Sequence, residues 1–354
     1  MQKMLNGQFQ KRIETNGLSE VKIMYSIVFI CPYFGKLPKG QFTLWLKSCE
    51  MNPTINWIIF TNDKTNYNYP INVKVNYTTF KKFRSIFENK IDVKLNIEHP
   101  HKLCDLKPTY GYVFQDYIKD YDYWGYTDIS DTIYGNLRKF LTTSNLESAD
   151  KIMYLGHFSL YKNTEDVNLR FYEKSKNSMS LDNIFGIGYT QSFDEFAKFG
   201  INYIFMDNGY PIKIIDSFYE DIAPFSSNFE ITKLDENFNF YIPNEVAKIF
   251  QWDNGSLYCY ELKNNSIIKK EIAYVHFQKR KMGNLVKANC NNFLIVPNKF
   301  ITTPKTIDIN IMEKYTRKII FNSPYISYKL KKNKRILQHR FNKLFSIIKK
   351  FLKI

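Results

Sequence analysis

Ser26-Ile-Val-Phe-Ile-Cys31, stopped by Pro32, is a short apolar run with no polar face. Such a run fits a strand buried on both sides, as inside a parallel sheet. Outward from it, Gln41 to Met51 carries Phe42, Leu44, Trp45 and Leu46 and stops near Pro53, which predicts a short helix. Trp57-Ile-Ile-Phe-Thr61 is a second buried run, and Ile71 to Val75 alternates like a third strand. Strand, helix and strand with short connections predict an α/β fold. Ligands of such sheets bind beyond the carboxyl ends of the strands. The residues there are Pro32, Tyr33, Phe34 and Gly35 after the first strand, and Asn62 and Asp63 after the second.

The chain has 354 residues, and its 44% hydrophobic share is enough to build a core. Disordered, collagen-like and coiled-coil classes are excluded. Its five cysteines, Cys31, Cys49, Cys104, Cys259 and Cys290, are scattered and form no Cys-x-x-Cys. That excludes a disulfide framework and a structural zinc site and points to a reducing compartment. The net charge of +16 is unevenly placed: no acidic residue follows Glu313, and thirteen of the sixteen excess charges lie in residues 314–354. The near-neutral body therefore does not suit nucleic acid. No run reaches the ~18 apolar residues of a membrane span, and Met1 to Glu20 lacks the apolar stretch of a signal peptide. The expected location is cytoplasmic. The expected organisation is a polar extension over 1–23, one domain over 24–301 with halves 24–140 and 141–301, and a basic tail over 302–354.

Several positions could carry chemistry. Tyr121-Asp-Tyr-Trp-Gly-Tyr-Thr127 reads as an aromatic strand ending in Asp128-Ile-Ser-Asp131. Carboxylates at a strand end suit a hard divalent cation bridging a diphosphate; read alone, the same residues fit an Asx turn. His276 ends the strand Ile272 to Phe277, with Lys279 and Arg280 close behind. An imidazole could complete a metal site, and two cations could hold phosphates. Asp105 reads as the cap of a helix running to about Ile118. Lys107, in its first turn, is an anion ligand candidate. His157 and the pair Asp194-Glu195, expected to open a helix, are candidates for acceptor contact or base. No dinucleotide fingerprint, P-loop, nucleophile elbow or zinc-protease motif is present.

Three blocks together resemble a known family. The first is Cys31-Pro-Tyr-Phe-Gly35, Trp45-Leu-Lys-Ser-Cys49 with Asn52-Pro53, and Phe60-Thr-Asn-Asp63. The second is Lys102-Leu-Cys-Asp105-Leu-Lys107-Pro108 with Tyr110-Gly111, then Trp124-Gly-Tyr-Thr-Asp128 with Tyr134-Gly135. The third is His276-Phe-Gln-Lys-Arg-Lys-Met282 with Ile295-Val-Pro-Asn-Lys-Phe300. Over about residues 25–301 they resemble a bacterial glycosyltransferase family of capsular and surface-polysaccharide clusters. The resemblance implies a GT-A fold with a mixed, mainly parallel sheet, a nucleotide-sugar donor, and Mn²⁺ or Mg²⁺ held by an Asp-x-Asp motif. Here Asp128 and Asp131 are one residue further apart, so either Ser130 replaces the second carboxylate or Asp131 reaches the metal through a bulge.

The expected activity is transfer of a sugar, with hexosyl transfer favoured, from a nucleotide diphosphate to a glycan or lipid-linked acceptor. Metal ligands would come from Asp128, Ser130, Asp131 and His276. Donor contacts would come from Pro32, Tyr33, Phe34, Gly35, Asp63, Lys107, Tyr110, Asp128, Lys279 and Arg280. Asp194 or Glu195 would be the base if the reaction inverts. The alternative is a non-catalytic sugar-binding or scaffold protein of a polysaccharide assembly complex. In the tail, Leu337, Phe341, Leu344, Phe345, Ile348, Phe351 and Leu352 fall on one helical face among lysines. Residues 329–354 are thus expected to form a basic amphipathic helix on an anionic membrane surface, making the enzyme peripheral on the inner face.

Overall fold

The computed structural model describes residues 9–12, 21–224, 228–235, 240–242, 248–278, 280–287 and 289–316, with single positions 330, 334 and 337. Seven strands among them form the main sheet: β1 (Ile27–Tyr33), β2 (Ile55–Thr61), β3 (Val73–Tyr77), β4 (Tyr123–Thr127), β6 (Lys151–Leu155), β7 (Phe158–Lys162) and β8 (Ile212–Lys213). Their spatial order is β8-β6-β7-β4-β1-β2-β3. Only β7 runs antiparallel to its neighbours; the other pairings are parallel. The sheet is mainly parallel, as the buried runs led one to expect, and the antiparallel β7 makes it mixed.

Alternation along β1 builds both faces of this sheet. Ile27, Phe29 and Cys31 pack with Trp45 of α1 (Lys39–Glu50) and with Trp57. Val28 and Ile30 pack on the other side with Phe83 and Phe87 of α2 (Phe80–Lys90) and with Trp124. These side chains are essentially solvent-free, and burying each contributes roughly 1.5–3 kcal/mol. The Thr79 hydroxyl starts α2 by accepting the Lys82 N–H.

The segment 150–300, hard to read locally, completes two further sheets. One has the order β11-β10-β9-β15-β5, from Phe240–Tyr241, Ile231–Leu234, Tyr219–Ile222, Tyr274–His276 and Thr132–Tyr134. The other is a meander built on β12 (Lys248–Asp253), β13 (Ser256–Lys263) and β14 (Ser266–Ile272), with β17 (Asn292–Val296) beside β12. Ile133, Ile222 and Val275 join these sheets through a shared core with Phe250, Trp252 and Phe293. A short helix, Ile309–Thr316, covers the meander through Met312.

Three expectations change. The helix expected over 105–118 is a series of short helical turns broken at Pro108 and Phe114, because proline cannot donate to the preceding turn. The polar 1–23 segment contains an antiparallel strand pair, Phe9–Arg12 with Val21–Met24. Asp194-Glu195 lies in a turn, and the next helix is α3 (Ile201–Asp207). The expected tail helix over 329–354 lies outside the described residues, except that Leu330, Lys334 and Leu337 are helical and exposed. Among the described residues no helix is long and apolar enough to cross a membrane.

Candidate functional site

The parallel strands β1, β2, β4 and β6 all end at one edge of the main sheet, and β7 begins there. At that edge the chain leaves β4 at Thr127, turns through Asp128-Ile-Ser-Asp131 and enters β5. Ser130 makes the corner in the left-handed region, with φ 65°. Strand β5 then pairs antiparallel with β15, placing Thr132 opposite His276. The Asp131 carbonyl accepts the Phe277 N–H at 2.6 Å. Two segments distant in sequence are thereby locked so that Asp128 faces His276.

Asp128 lies between two bases. Its Oδ1 accepts from Lys107 Nζ at 2.9 Å, and its Oδ2 is 3.6 Å from His276 Nε2. Burial opposes its ionisation, but the Lys107 and His276 charges prevail and hold its carboxyl well below the usual range. His276 Nδ1 is 2.7 Å from Asp221 Oδ1. Asp221 is fixed in turn by Thr232 Oγ1 and Gln278 Nε2, which donate to its Oδ2 at 2.6 and 2.9 Å. Burial alone would strip the His276 proton, yet Asp128 and Asp221 push its pKa up to about 10. The ring of His157 stacks on His276 with centroids 3.9 Å apart. Burial, then the His276 charge, push His157 down to about 3.

These donors fit a divalent ion. His276 Nε2 is buried with no hydrogen-bond partner. Its 3.6 Å separation from Asp128 Oδ2 is too long for a hydrogen bond. Two ligands each about 2.1 Å from one ion can stand up to about 4.2 Å apart. The Asp221 contact at Nδ1 is the outer carboxylate that commonly orients a ligating imidazole. His157, Asp221 and His276 each also offer an atom within 4.8 Å of the others.

Beside this group stands a second, acidic one. Asp194 Oδ2 is 4.0 Å from Lys107 Nζ, and Lys107 also donates to the Gly156 carbonyl at 2.7 Å. The Gly156 N–H donates to Glu195 Oε1 at 2.9 Å. A Cβ on Gly156 would meet Glu195 Oε1 at 2.6 Å and Asp194 Oδ2 at 2.7 Å, so a larger residue in this turn between β6 and β7 would push both carboxylates out of place. Burial, then the neighbouring Glu195 charge, raise the Asp194 carboxyl well above its usual value; burial also raises Glu195. Asp105 does not cap its own helix. Fully buried, it accepts the Gln191 and Phe193 N–H groups and a 2.8 Å contact from Lys102, fastening the turn that presents Asp194 and Glu195.

Asp128, Lys107, His276, His157, Asp194 and Glu195, picked from the sequence, therefore come together; Asp221 completes them and carries no local signal. Others are placed differently. Asp131 lies near Tyr33, whose phenol is raised by burial, then by Asp131 and Asp63. Ser130 is buried at the corner. Asp63 serves the loop after β1: its carboxylate accepts the Leu37 N–H at 3.0 Å and the Thr65 N–H and hydroxyl, while Asn62 accepts the Gly35 N–H at 2.8 Å. Pro32 is still within β1, paired with Phe60. Phe34 packs on Phe80 and Phe83. Tyr110 is completely buried among aromatic rings. Arg280 is 4% exposed, and its guanidinium donates to Asn298 and to the carbonyls of Ala223 and Asn228; it supports the fold where a phosphate contact was expected. Lys279 lies outside the described residues.

A profile described as "Family of unknown function (DUF6625)" matches residues 29–304, which include every member of this cluster. The chain belongs to that family. The DUF6625 match spans the main sheet and both smaller sheets and stops short of the basic tail. No curated protein matches the chain.

Proposed function

We propose that the chain is a GT-A-type glycosyltransferase that moves a sugar from a nucleoside diphosphate donor to a surface-glycan acceptor, lipid-linked in the favoured case. The observation that carries this reading is the convergence of Asp128, His276, Lys107 and the Asp194-Glu195 pair at the carboxyl edge of a mixed, mainly parallel sheet. That edge is where ligands of such sheets bind, and the resemblance of the sequence blocks supports the same class.

A divalent ion, held by Asp128 and His276, would supply positive charge to the departing diphosphate. The chain's own residues do the rest. The acceptor hydroxyl oxygen bonds to the anomeric carbon as the bond from that carbon to the phosphate oxygen breaks, and its electron pair leaves with the diphosphate. In an inverting reaction Glu195 takes the hydroxyl proton. It is the more exposed of the two acids, and its raised proton affinity suits a base working near neutral pH. Asp194, buried against Lys107, holds the charge balance of the pocket. The tail over 329–354 would bring this edge to an anionic membrane surface.

The test is release of free nucleotide by the full chain from a panel of nucleotide-sugars with acceptor lipid extract, with Mn²⁺ and with chelator. One donor is expected to turn over, with loss on chelation and in Asp128→Ala. Calorimetry with UDP and GDP runs alongside. No turnover together with no metal-enhanced nucleotide binding would overturn the proposal in favour of a scaffold.

A further inference from the structure

A pocket of about 220 Å³ adjoins the candidate site. Asp221, whose carboxylate holds His276, forms part of its wall, as does Thr232, which donates to Asp221. Tyr154 of β6 and Tyr219 of β9 line it as well. Tyr154 is tied to the acidic turn: the fully buried Asn202 donates to the Tyr154 and Glu195 carbonyls at 2.8 and 2.5 Å. The Tyr219 ring meets that of His157, with centroids 5.7 Å apart. Burial raises the Glu195 carboxyl, and the Asp221 charge adds to that rise. The proposed base is thus within electrostatic reach of the pocket wall.

The lining combines two kinds of surface. Tyr154, Tyr219 and Ile214 offer apolar area without being fully buried, and Asp216, Ser217 and Lys233 offer polar atoms. Charges in the wall balance. Glu220 faces Lys248 and Lys270 at 3.1 and 2.8 Å, Asp221 faces His276 at 2.7 Å, and Asp216 and Lys233 have opposite signs. A phosphate would find no surplus of cations there. The volume is below the ~300 Å³ at which pockets for drug-sized ligands begin, so it suits one sugar ring and not a whole nucleotide. We propose that this pocket is a sugar subsite that takes one uncharged monosaccharide unit of the acceptor. Its part in transfer rests on the transferase reading; its affinity for a sugar does not. The C–H face of the sugar ring packs on the tyrosines and Ile214, as amphipathic aromatic side chains allow. Its hydroxyls donate to the Asp216 carboxylate and accept from Ser217.

The experiment titrates glucose, galactose, N-acetylglucosamine, N-acetylgalactosamine and rhamnose, each alone, into the full chain and reads binding by saturation-transfer NMR. At least one is expected to bind. Asp216→Ala, in an exposed turn, should weaken that binding about 3- to 10-fold, and Tyr154→Ala about 10-fold or more. If Tyr154→Ala does not fold, Asp216→Ala decides by itself. Binding of none of these sugars, or unchanged affinity in a folded Asp216→Ala, overturns the assignment. If the unmodified chain then still releases nucleotide from a donor, the transferase reading stands while this inference fails. Sugar binding that the variants weaken, in a chain that turns over no donor, supports the pocket and removes the transferase reading in favour of a sugar-binding protein.

Discussion

Replacing Lys107 with methionine would remove an ammonium that Asp128 and Asp194 both face. The lysine stands 2.9 Å from Asp128 Oδ1 and 4.0 Å from Asp194 Oδ2, with only 11% of its side chain exposed. At an effective dielectric constant of about 20, those separations correspond to roughly 6 and 4 kcal/mol of gross attraction. Desolvation offsets most of that, and breaking a buried pair costs about 3–5 kcal/mol net. Asp128 is 36% exposed on its side chain, so screening puts the expected loss at the lower end, about 3 kcal/mol. An unfolding entropy of roughly 2.1 cal/mol/K per residue converts this into a Tm lower by about 4 °C. The sign with pH follows from Asp194. Its folded pKa is raised, so its cost is present above that value and fades as pH falls toward the unfolded carboxyl range. Without Lys107 that cost grows. Calorimetry of both proteins should thus show a gap that is widest above the folded Asp194 pKa and narrows as pH falls toward the unfolded carboxyl range. A gap under about 1 kcal/mol, or one that does not narrow in acid, would refute the role given to Lys107.

Arg280→Met should destabilise the chain by about 2–3 kcal/mol, because three oxygen acceptors lose their donor. Any loss of binding should be equal for UDP and uridine in calorimetry; a loss confined to UDP would restore the phosphate role. Lys151 is fully buried, donating to the Met153 carbonyl at 2.7 Å, and burial pushes its pKa down to about 7. Between that value and about 10.4 the unfolded chain binds the extra proton, so stability rises with pH there. Melting curves from pH 7 to 9 should show that rise in the parent and not in Lys151→Met; parallel curves would count against it. A chain ending at Pro324 should lose flotation with anionic liposomes that the full chain shows, and equal behaviour of the two would remove the tail from the membrane account.

The apolar run at Ile27–Cys31 and its repeat at Trp57–Phe60 made the sheet legible, because burial on both faces leaves a local signature. Asp128, Lys107 and His276 were legible as chemistry at element ends. What joins them was not. The pairing of Thr132–Tyr134 with Tyr274–His276 is a contact between segments far apart in the chain, and three-residue strands have no periodicity to read. Asp221 sits mid-strand in Tyr219-Glu-Asp-Ile222, with no turn or cap to mark it. Asp105 and Arg280 look from the sequence like a cap and a phosphate ligand. Their partners, the Gln191 and Phe193 N–H groups and the carbonyls of Ala223 and Asn228, belong to loops whose positions only the tertiary fold decides.

The corner at Ser130 also bears on the order in which the chain folds. Strands β1 to β4 pair with one another within residues 27–127, so they can associate before the remainder is in place. β5 must wait for Tyr274–His276 to arrive from near the end of the domain, since among the described residues it has no other neighbour in its sheet. Closing so large a loop is slow and entropically costly. The cluster around Asp128 is then among the last parts of the domain to form, and its loss would be an early sign of unfolding. An ion that recognises only the closed corner would act as a clasp, slowing the departure of the carboxy-terminal third from the main sheet.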